Sequence, residues 1–180
     1  VEIFSVMKSL DSIKRCDLAI LLIDGPGGLT HQDRQVLRYI LDEERAVVIA
    51  ANKADGWTTE EARRKGLHAI AEGLEYATYA PIVPTVATSG KGFQQLFRKI
   101  EEASANFRLR VPTGLLNRMA ESFLFTVPIP SPTGRNRAFY MTQVGVAPPS
   151  FAVFVKDRRG IPDSFTRYRQ NTISDRCGLE

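Results

Sequence analysis

Asn52-Lys53-Ala54-Asp55 has residue types and a spacing that suit the reading of a purine base. Guanine presents two donors side by side, N1–H and the exocyclic N2–H₂. One carboxylate, that of Asp55, can accept both as a bidentate pair, and adenine offers no matching pair. A site built around those donors rejects bases that lack them, because the carboxylate would be left unpaired. Asn52 can donate to N7 and tie neighbouring loops together. The methylene stem of Lys53 can cover the base face while its ammonium stays in water. Standing alone, such a tetrapeptide is a polar turn. Here an apolar strand, "AVVIAA" (46–51), leads into it and a capped helix follows. In open α/β sheets, ligands bind beyond the C-terminal ends of strands, which is where Asn52 falls.

A base reader works beside a phosphate binder. The cradle made by G-x-x-x-x-G-K-[ST] is not present in these 180 residues. Gly90-Lys91 lacks a glycine five residues before Gly90, and Gly92 follows where Ser or Thr is needed. "DGPG" (24–27) matches the D-x-x-G pattern of a Mg²⁺ and γ-phosphate loop. In a GTPase domain, however, helix, strand, helix and strand separate that loop from Asn-Lys-x-Asp, and only one helix and one strand fit between Asp24 and Asn52. "GPGG" (25–28) also follows a strand, whereas the Gly-x-x-Gly of RNA-binding KH domains joins two helices. Residues 25–28 therefore read as a turn. The expectation is a natural polypeptide with further sequence upstream, carrying the phosphate loop and the Mg²⁺ contacts.

The elements that must hold the base reader alternate. Residues 1–15 read as a helix with Ile3, Met7, Leu10 and Ile13 on one face. "CDLAILLID" (16–24) is apolar throughout, as in a strand buried on both sheet faces. Thr30 and Asp33 form a capping box for a helix to about Glu44, and Thr58 with Glu61 another for a helix to about Gly73. "APIVPTVA" (80–87) is the third strand. Residues 90–104 form a helix with Phe93, Leu96, Phe97 and Ile100 inward. This alternation predicts an α/β doubly wound sheet over residues 1–105. After a linker at 106–113, residues 114–180 read as a small α+β domain. Thr113 caps a helix there, two strands meet at Ala147-Pro148-Pro149, and Asp163 or Ser164 opens a last helix.

At this point the chain resembles the C-terminal part of the bacterial double-Era-like GTPases, the EngA or Der family. "VEIFSVMKSLDSIKRCDLAILLIDGPGGLTHQD" is similar to the switch helix and following strand of that family's second G domain, and "SGKGFQQLF" to the helix start after its base loop. "PTGLLNRM", "YMTQVGVAPPSFAVFV" and "PDSFTRYRQNTIS" resemble its KH-like domain. Asn117, Thr142, Gln143, Pro148, Pro149, Phe151, Phe154, Arg167 and Tyr168 stand at matching positions. "NKAD" replaces the family's usual Asn-Lys-Trp-Asp, and Arg-Tyr-Arg replaces Arg-Tyr-Leu. The resemblance implies a partial P-loop GTPase-type sheet followed by a KH-like domain. It implies GTP or GDP as ligand, read by Asn52, Lys53, Asp55 and Ala87. Ala87 would supply a backbone N–H to guanine O6, with Val86 and Thr88 beside it. Val86 takes the place of the serine common in GTPases. It further implies assembly of the large ribosomal subunit, with ribosomal RNA, that subunit and upstream G domains of the same polypeptide as partners. The 180 residues alone should not hydrolyse GTP. A rival reading is a binding module, in which the G-domain part is only scaffold and the KH-like part binds RNA or protein without nucleotide.

Charge supports an RNA partner. Residues 1–105 carry 13 Lys and Arg against 15 Asp and Glu, and residues 106–180 carry 11 against 5. Arg135, Arg137, Lys156, Arg158 and Arg159 are the candidate RNA contacts. DNA is not an expected partner, and neither is a membrane, which the apolar run Leu18 to Ile23 is too short to span. Cys16 and Cys177 form no CxxC, which suits reduced thiols in the cytoplasm. His31 and His68 lack ligand spacing, so no metal site is assigned.

Overall fold

The structure is a computed structural model that describes residues 10–74, 77–125, 128–129, 136–157 and 161, with the backbone alone at 123 and 124. Contacts divide the chain into two compact units, Val1–Ala105 and Asn106–Glu180. The first is an α/β unit with a parallel sheet. Strands β1 (Leu18–Asp24), β2 (Ala46–Asn52) and β3 (Ile82–Pro84) lie in that order, and β2 is central. The register pairs Leu18 with Ala46 and runs without a slip to Asp24 opposite Asn52. The ends of β1 and β2 are therefore level, and their last polar residues are neighbours.

Helices α1 (His31–Asp42) and α2 (Glu60–Glu72) cover one face of the sheet. Leu37, Ile40 and Ile70 pack there on Leu21, Ile23, Val47, Ile49 and Ala51. Helix α3 (Phe93–Phe107) covers the other face, setting Leu96 and Ala103 against Val48, Ala50 and Val83. Helices on both faces of a parallel sheet make the doubly wound arrangement expected from the alternation. The Thr30–Asp33 capping box is formed in full: Thr30 Oγ1 accepts from Asp33 N at 3.1 Å, and Asp33 Oδ2 accepts from Thr30 N at 2.9 Å.

Several local expectations are corrected. Thr59, not Thr58, caps α2, through a bond from Ala62 N to Thr59 Oγ1 at 3.1 Å. Strand β3 is only three residues long, although Thr85 N still donates to Ala51 O at 2.9 Å. Proline removes ladder donors, and Pro81 and Pro84 bracket this segment. The inward stripe of α3 is Leu96, Ile100 and Ala103. Phe93 and Phe97 are exposed and meet each other edge-on, with centroids 6.4 Å apart. Nor is β1 buried on both faces: Leu21 and Ile23 are buried while Ile20 and Leu22 are 49% and 62% exposed. Among the described residues β1 is an edge strand. The expected first helix is described only over residues 10–14, where it is helical.

The second unit begins with Leu109 and Val111 packing into its own core. Helix α4 (Thr113–Ala120) continues as a wider π turn at Glu121–Phe125. Pro112 occupies the N-cap, so Thr113 is the first helical residue and not the cap; its carbonyl accepts from Asn117 Nδ2. Strands β4 (Ala138–Val146) and β5 (Pro149–Val155) pair antiparallel around the cis Ala147-Pro148 bond. Leu116, Ala120, Ile129, Ala138 and Met141 form the buried centre. Two buried-side amides join the parts. Asn117 donates to Met141 O at 2.7 Å and accepts from Met141 N at 2.9 Å. Gln143 accepts from Val111 N at 2.8 Å and donates to Leu109 O at 2.8 Å. The expected last helix lies outside the described residues.

Candidate functional site

The end of β2 is stitched by backbone to the chain after β3 on one side and after β1 on the other. Ala54 N donates to Thr85 O at 3.0 Å, and Gly25 N to Asn52 O at 2.7 Å. After β2 the chain turns at once. Lys53 adopts the left-handed conformation, with φ 59° and ψ 33°, and a single 3₁₀ turn spans Ala54–Gly56. A non-glycine residue held there is uncommon and needs a surrounding structure that fixes it. Its own ammonium supplies part of that. Lys53 Nζ lies 2.7 Å from Asp24 Oδ2, across the level ends of β2 and β1. Asp24 Oδ1 also accepts from Gly27 N at 3.0 Å, which closes residues 24–27 into the expected turn.

Asn52, Lys53, Asp55, Val86, Ala87 and Thr88 all line one open depression of about 610 Å³, together with Asp24, Pro26 and Gly56. Asn52 Oδ1 accepts from Ala87 N at 3.0 Å. That backbone N–H, expected to face a ligand oxygen, is therefore engaged by the amide that ties the two loops. The bond also fixes the amide's sense and leaves Asn52 Nδ2 as a donor. Asp55 is exposed, and its carboxylate has no partner among the described residues. Val86 is buried and lacks a hydroxyl, yet its loop is held by backbone. Val86 N donates to Lys91 O, and Gly90 N donates to Val86 O, both at 2.9 Å. Trp57 is a packing residue. It reaches back over Gly66 and Gly25, where an added Cβ would come within 2.6 Å and 2.9 Å of the indole. A second open depression, on α3, is lined by Gln94, Gln95, Phe97, Arg98 and Glu101. All of these belong to one helix.

Asp24 was not among the residues expected to form the site. Its place at the last position of an apolar strand, next to a polar turn, is the signal that marks it. The Lys53 ammonium and the Gly27 N–H hold the Asp24 carboxyl below its ordinary value of 3.8, and Asp24 in turn raises Lys53 above 10.5. For a depressed carboxyl, the favourable contribution is present above the ordinary value and is lost as pH falls through the folded one. For a raised ammonium it is present below 10.5 and is lost as pH rises through the folded value. The pair thus stays closed across the neutral range. An NMR titration should find the Asp24 midpoint below 3.8 in the natural sequence and higher in Lys53→Met, where only the Gly27 donor remains. Equal midpoints in the two proteins would remove Lys53 as the cause.

Comparison with known proteins decides the family. Residues 6–106 match the Elongation factor Tu GTP binding domain, and residues 110–180 match the KH-domain-like region of EngA bacterial GTPase enzymes, C-terminal. The chain belongs to the EngA/Der GTPase family. It is 33% identical over 181 residues to GTPase Der of Syntrophotalea carbinolica, covering 99% of this chain and 41% of that protein. With GTPase Der of Staphylococcus carnosus it shares 35% identity over 181 residues, covering 99% and 42%. The chain thus spans about two fifths of the length of the curated relatives it matches. In fold it is also similar to translation elongation factor SelB from Methanococcus maripaludis, apo form. The TM-score is 0.52 at 13% identity, over 83% of this chain and 40% of that one.

Membership of the EngA/Der family gives the second unit its KH-like character. Of the basic residues singled out there, Arg137 and Lys156 are described and exposed; Arg135, Arg158 and Arg159 lie outside the described residues. Ala138 pairs with Val155, and beyond that pair Asn136 Oδ1 accepts from Asp157 N at 3.1 Å while Asn136 Nδ2 donates to Asp157 O. Arg137 and Lys156 therefore stand opposite each other between these two pairs. Both are exposed, whereas Ala138 beside Arg137 is buried. Among the described residues no cluster of three potential metal ligands occurs, and no helix is long and apolar enough to cross a membrane.

Proposed function

We propose that the chain carries the guanine-reading part of a GTP-binding site and the RNA-contacting unit of a GTPase that assembles the large ribosomal subunit in the cytoplasm. The observation that carries the nucleotide reading is the shared depression at the ends of β2 and β3, on a unit that belongs to a GTP-binding family. Asp55 accepts N1–H and N2–H of guanine. Asn52 donates through Nδ2 to N7. The Lys53 stem, drawn toward Asp24 by its ammonium, covers one face of the base. Guanine O6 shares the Ala87 N–H with Asn52 Oδ1 in a three-centre bond, a common arrangement for a backbone donor. The phosphates and Mg²⁺ are the work of upstream G-domain sequence in the same polypeptide, which also supplies GTP hydrolysis. Arg137 and Lys156 contribute to ribosomal RNA contact, in keeping with the excess of cations in residues 106–180.

The test uses the base alone, so that phosphate contacts do not enter. Guanosine and adenosine are titrated into the ¹⁵N-labelled 180-residue chain. Guanosine should shift the amides of Asn52, Asp55 and Ala87 saturably, and adenosine at the same concentration should not. Equal shifts with both nucleosides, or none with either, would overturn the guanine reading and favour a nucleotide-independent binding module.

A further inference from the structure

Strands β4 and β5 have two faces of different chemistry. One carries Ala138 and Met141 into the core, with Phe151, Val153 and Val155 packed beside them. The other is exposed, and it is aromatic. Tyr140 and Phe154 are register partners across the ladder. They are 40% and 46% exposed, and their rings meet at 5.4 Å and 62°. A strict two-residue alternation from Ala138 would turn Tyr140 into the core. A register shift between Ala138 and Tyr140 prevents this. Its consequence is that Phe139, 61% exposed, and Tyr140 are consecutive exposed aromatics, while Met141 returns to the core. Bulges of this kind bend a strand and re-aim a side chain, at the expense of ladder pairing. A hydrophobic core alone gives no reason for turning two rings into water.

Charge says what covers them. From Ala138 to Val155 there is no Asp, Glu, Lys or Arg, and the stretch is bounded by Arg137 on one strand and Lys156 on the other. The arrangement is an uncharged aromatic floor with a pair of cations at one end, within a unit that has 11 cationic against 5 anionic residues. An unpaired nucleic-acid strand matches both features, since its bases stack on rings and its phosphates meet cations. A duplex hides its base faces and matches only the cations. A protein or lipid partner would explain the rings but not the net positive charge around them.

We infer that the exposed β4–β5 face is a single-strand RNA platform, with Phe139, Tyr140 and Phe154 stacking bases and Arg137 and Lys156 meeting the adjoining phosphates. This rests on the proposed RNA contact of the KH-like unit and assigns it a face and a mode. It differs from backbone clamping by a Gly-x-x-Gly loop, because the contacts come from the sheet itself.

The experiment measures binding of a fluorescein-labelled 12-nucleotide oligo(U), and of an RNA duplex of equal length, to the full 180-residue chain at several salt concentrations. Single-stranded RNA should bind more tightly than duplex. Phe139→Ser and Phe154→Ser should each weaken it about 5- to 100-fold, as loss of one stacked base does, without changing the salt slope. Tyr140→Phe keeps the ring and should bind like the natural sequence, which separates stacking by the ring from hydrogen bonding by its hydroxyl. Arg137→Gln with Lys156→Gln should reduce the magnitude of the salt slope by roughly 1.4, the share of two phosphate contacts on a single strand. If the natural chain binds oligo(U) but the ring variants bind equally well, the platform is overturned and RNA contact elsewhere on the unit stands. If the natural chain binds neither RNA, both readings fall. If Phe154→Ser abolishes self-association in sedimentation and leaves RNA affinity unchanged, the face is a protein interface and the inference is wrong.

Discussion

Asp55→Asn should exchange one base for another. The natural carboxylate offers two acceptors to two neighbouring donors, and the carboxamide offers one acceptor and one donor. The N2–H₂ of guanine then faces an NH₂, so one charge-assisted bond becomes a donor–donor clash and the other becomes a neutral hydrogen bond. Xanthine keeps N1–H but carries an oxygen at C2, so it pairs with the carboxamide on both atoms. Each hydrogen bond to a charged group contributes about 1.5–3 kcal/mol. Asp55 is exposed in the structure, which discounts the upper figure. The ratio of guanosine to xanthosine affinity should therefore fall by roughly 100-fold or more, with xanthosine preferred. Competitive titration of the two nucleosides against each protein reads this ratio directly. An unchanged ratio would take the base-reading role away from Asp55 and from the depression as a whole. A loss of guanosine binding without a gain for xanthosine would show instead that the loop had moved.

The place of Asn52 to Asp55 at the end of β2 could be foreseen from four letters and their flanks because it is set locally. Asn52 to Asp55 are consecutive, and a strand before them with a helix after them fixes where they stand. The same is true of the Thr30–Asp33 capping box, whose two bonds span three residues. What could not be seen is what the register decides. Asp24 and Lys53 are 29 residues apart, and they meet only because β1 and β2 run level from Leu18 and Ala46 to their last residues. Phe97 has the periodicity of a core residue on α3, yet it is 60% exposed. Periodicity shows that a face is apolar but not how much of it a neighbour covers. The face that Tyr140 takes is hidden from the sequence for a third reason. A one-residue bulge reverses the face of everything after it, and nothing in "AFYMTQV" announces the shift. The family resemblance anticipated the fold of both units, but which side chains the β4–β5 sheet exposes follows from a register that the sequence does not display.

Gly92→Ala should be the most destabilising conservative change in the first unit, and Gly90→Ala, two residues away, should be mild. Both glycines have left-handed backbones, with φ +73° at Gly90 and +88° at Gly92. Nothing lies within 4 Å of a Cβ built on Gly90. An alanine there meets only the backbone cost of φ > 0, about 1–2 kcal/mol. At Gly92 the same methyl would sit 2.2 Å from Pro84 O and 3.1 Å from Thr85 Cα. Those atoms belong to the backbone, so no rotamer change relieves the clash, and the loop after β3 must move away from α3. Adding the displacement to the strained φ gives a cost of about 3–4 kcal/mol. In a unit of this size that lowers the melting temperature by roughly 12–30 °C, against roughly 4–16 °C for Gly90→Ala. Thermal unfolding of the two variants side by side separates steric exclusion from backbone strain, because only the former differs between them. The movement also reaches the site. Gly92 adjoins the Val86–Lys91 bridge, and Val86 precedes the Ala87 N–H that Asn52 holds. In Gly92→Ala the Asn52 and Ala87 amides should therefore shift even without ligand, whereas in Gly90→Ala they should stay where they are. Equal stability of the two variants would mean that the close approach to Pro84 does not persist in solution.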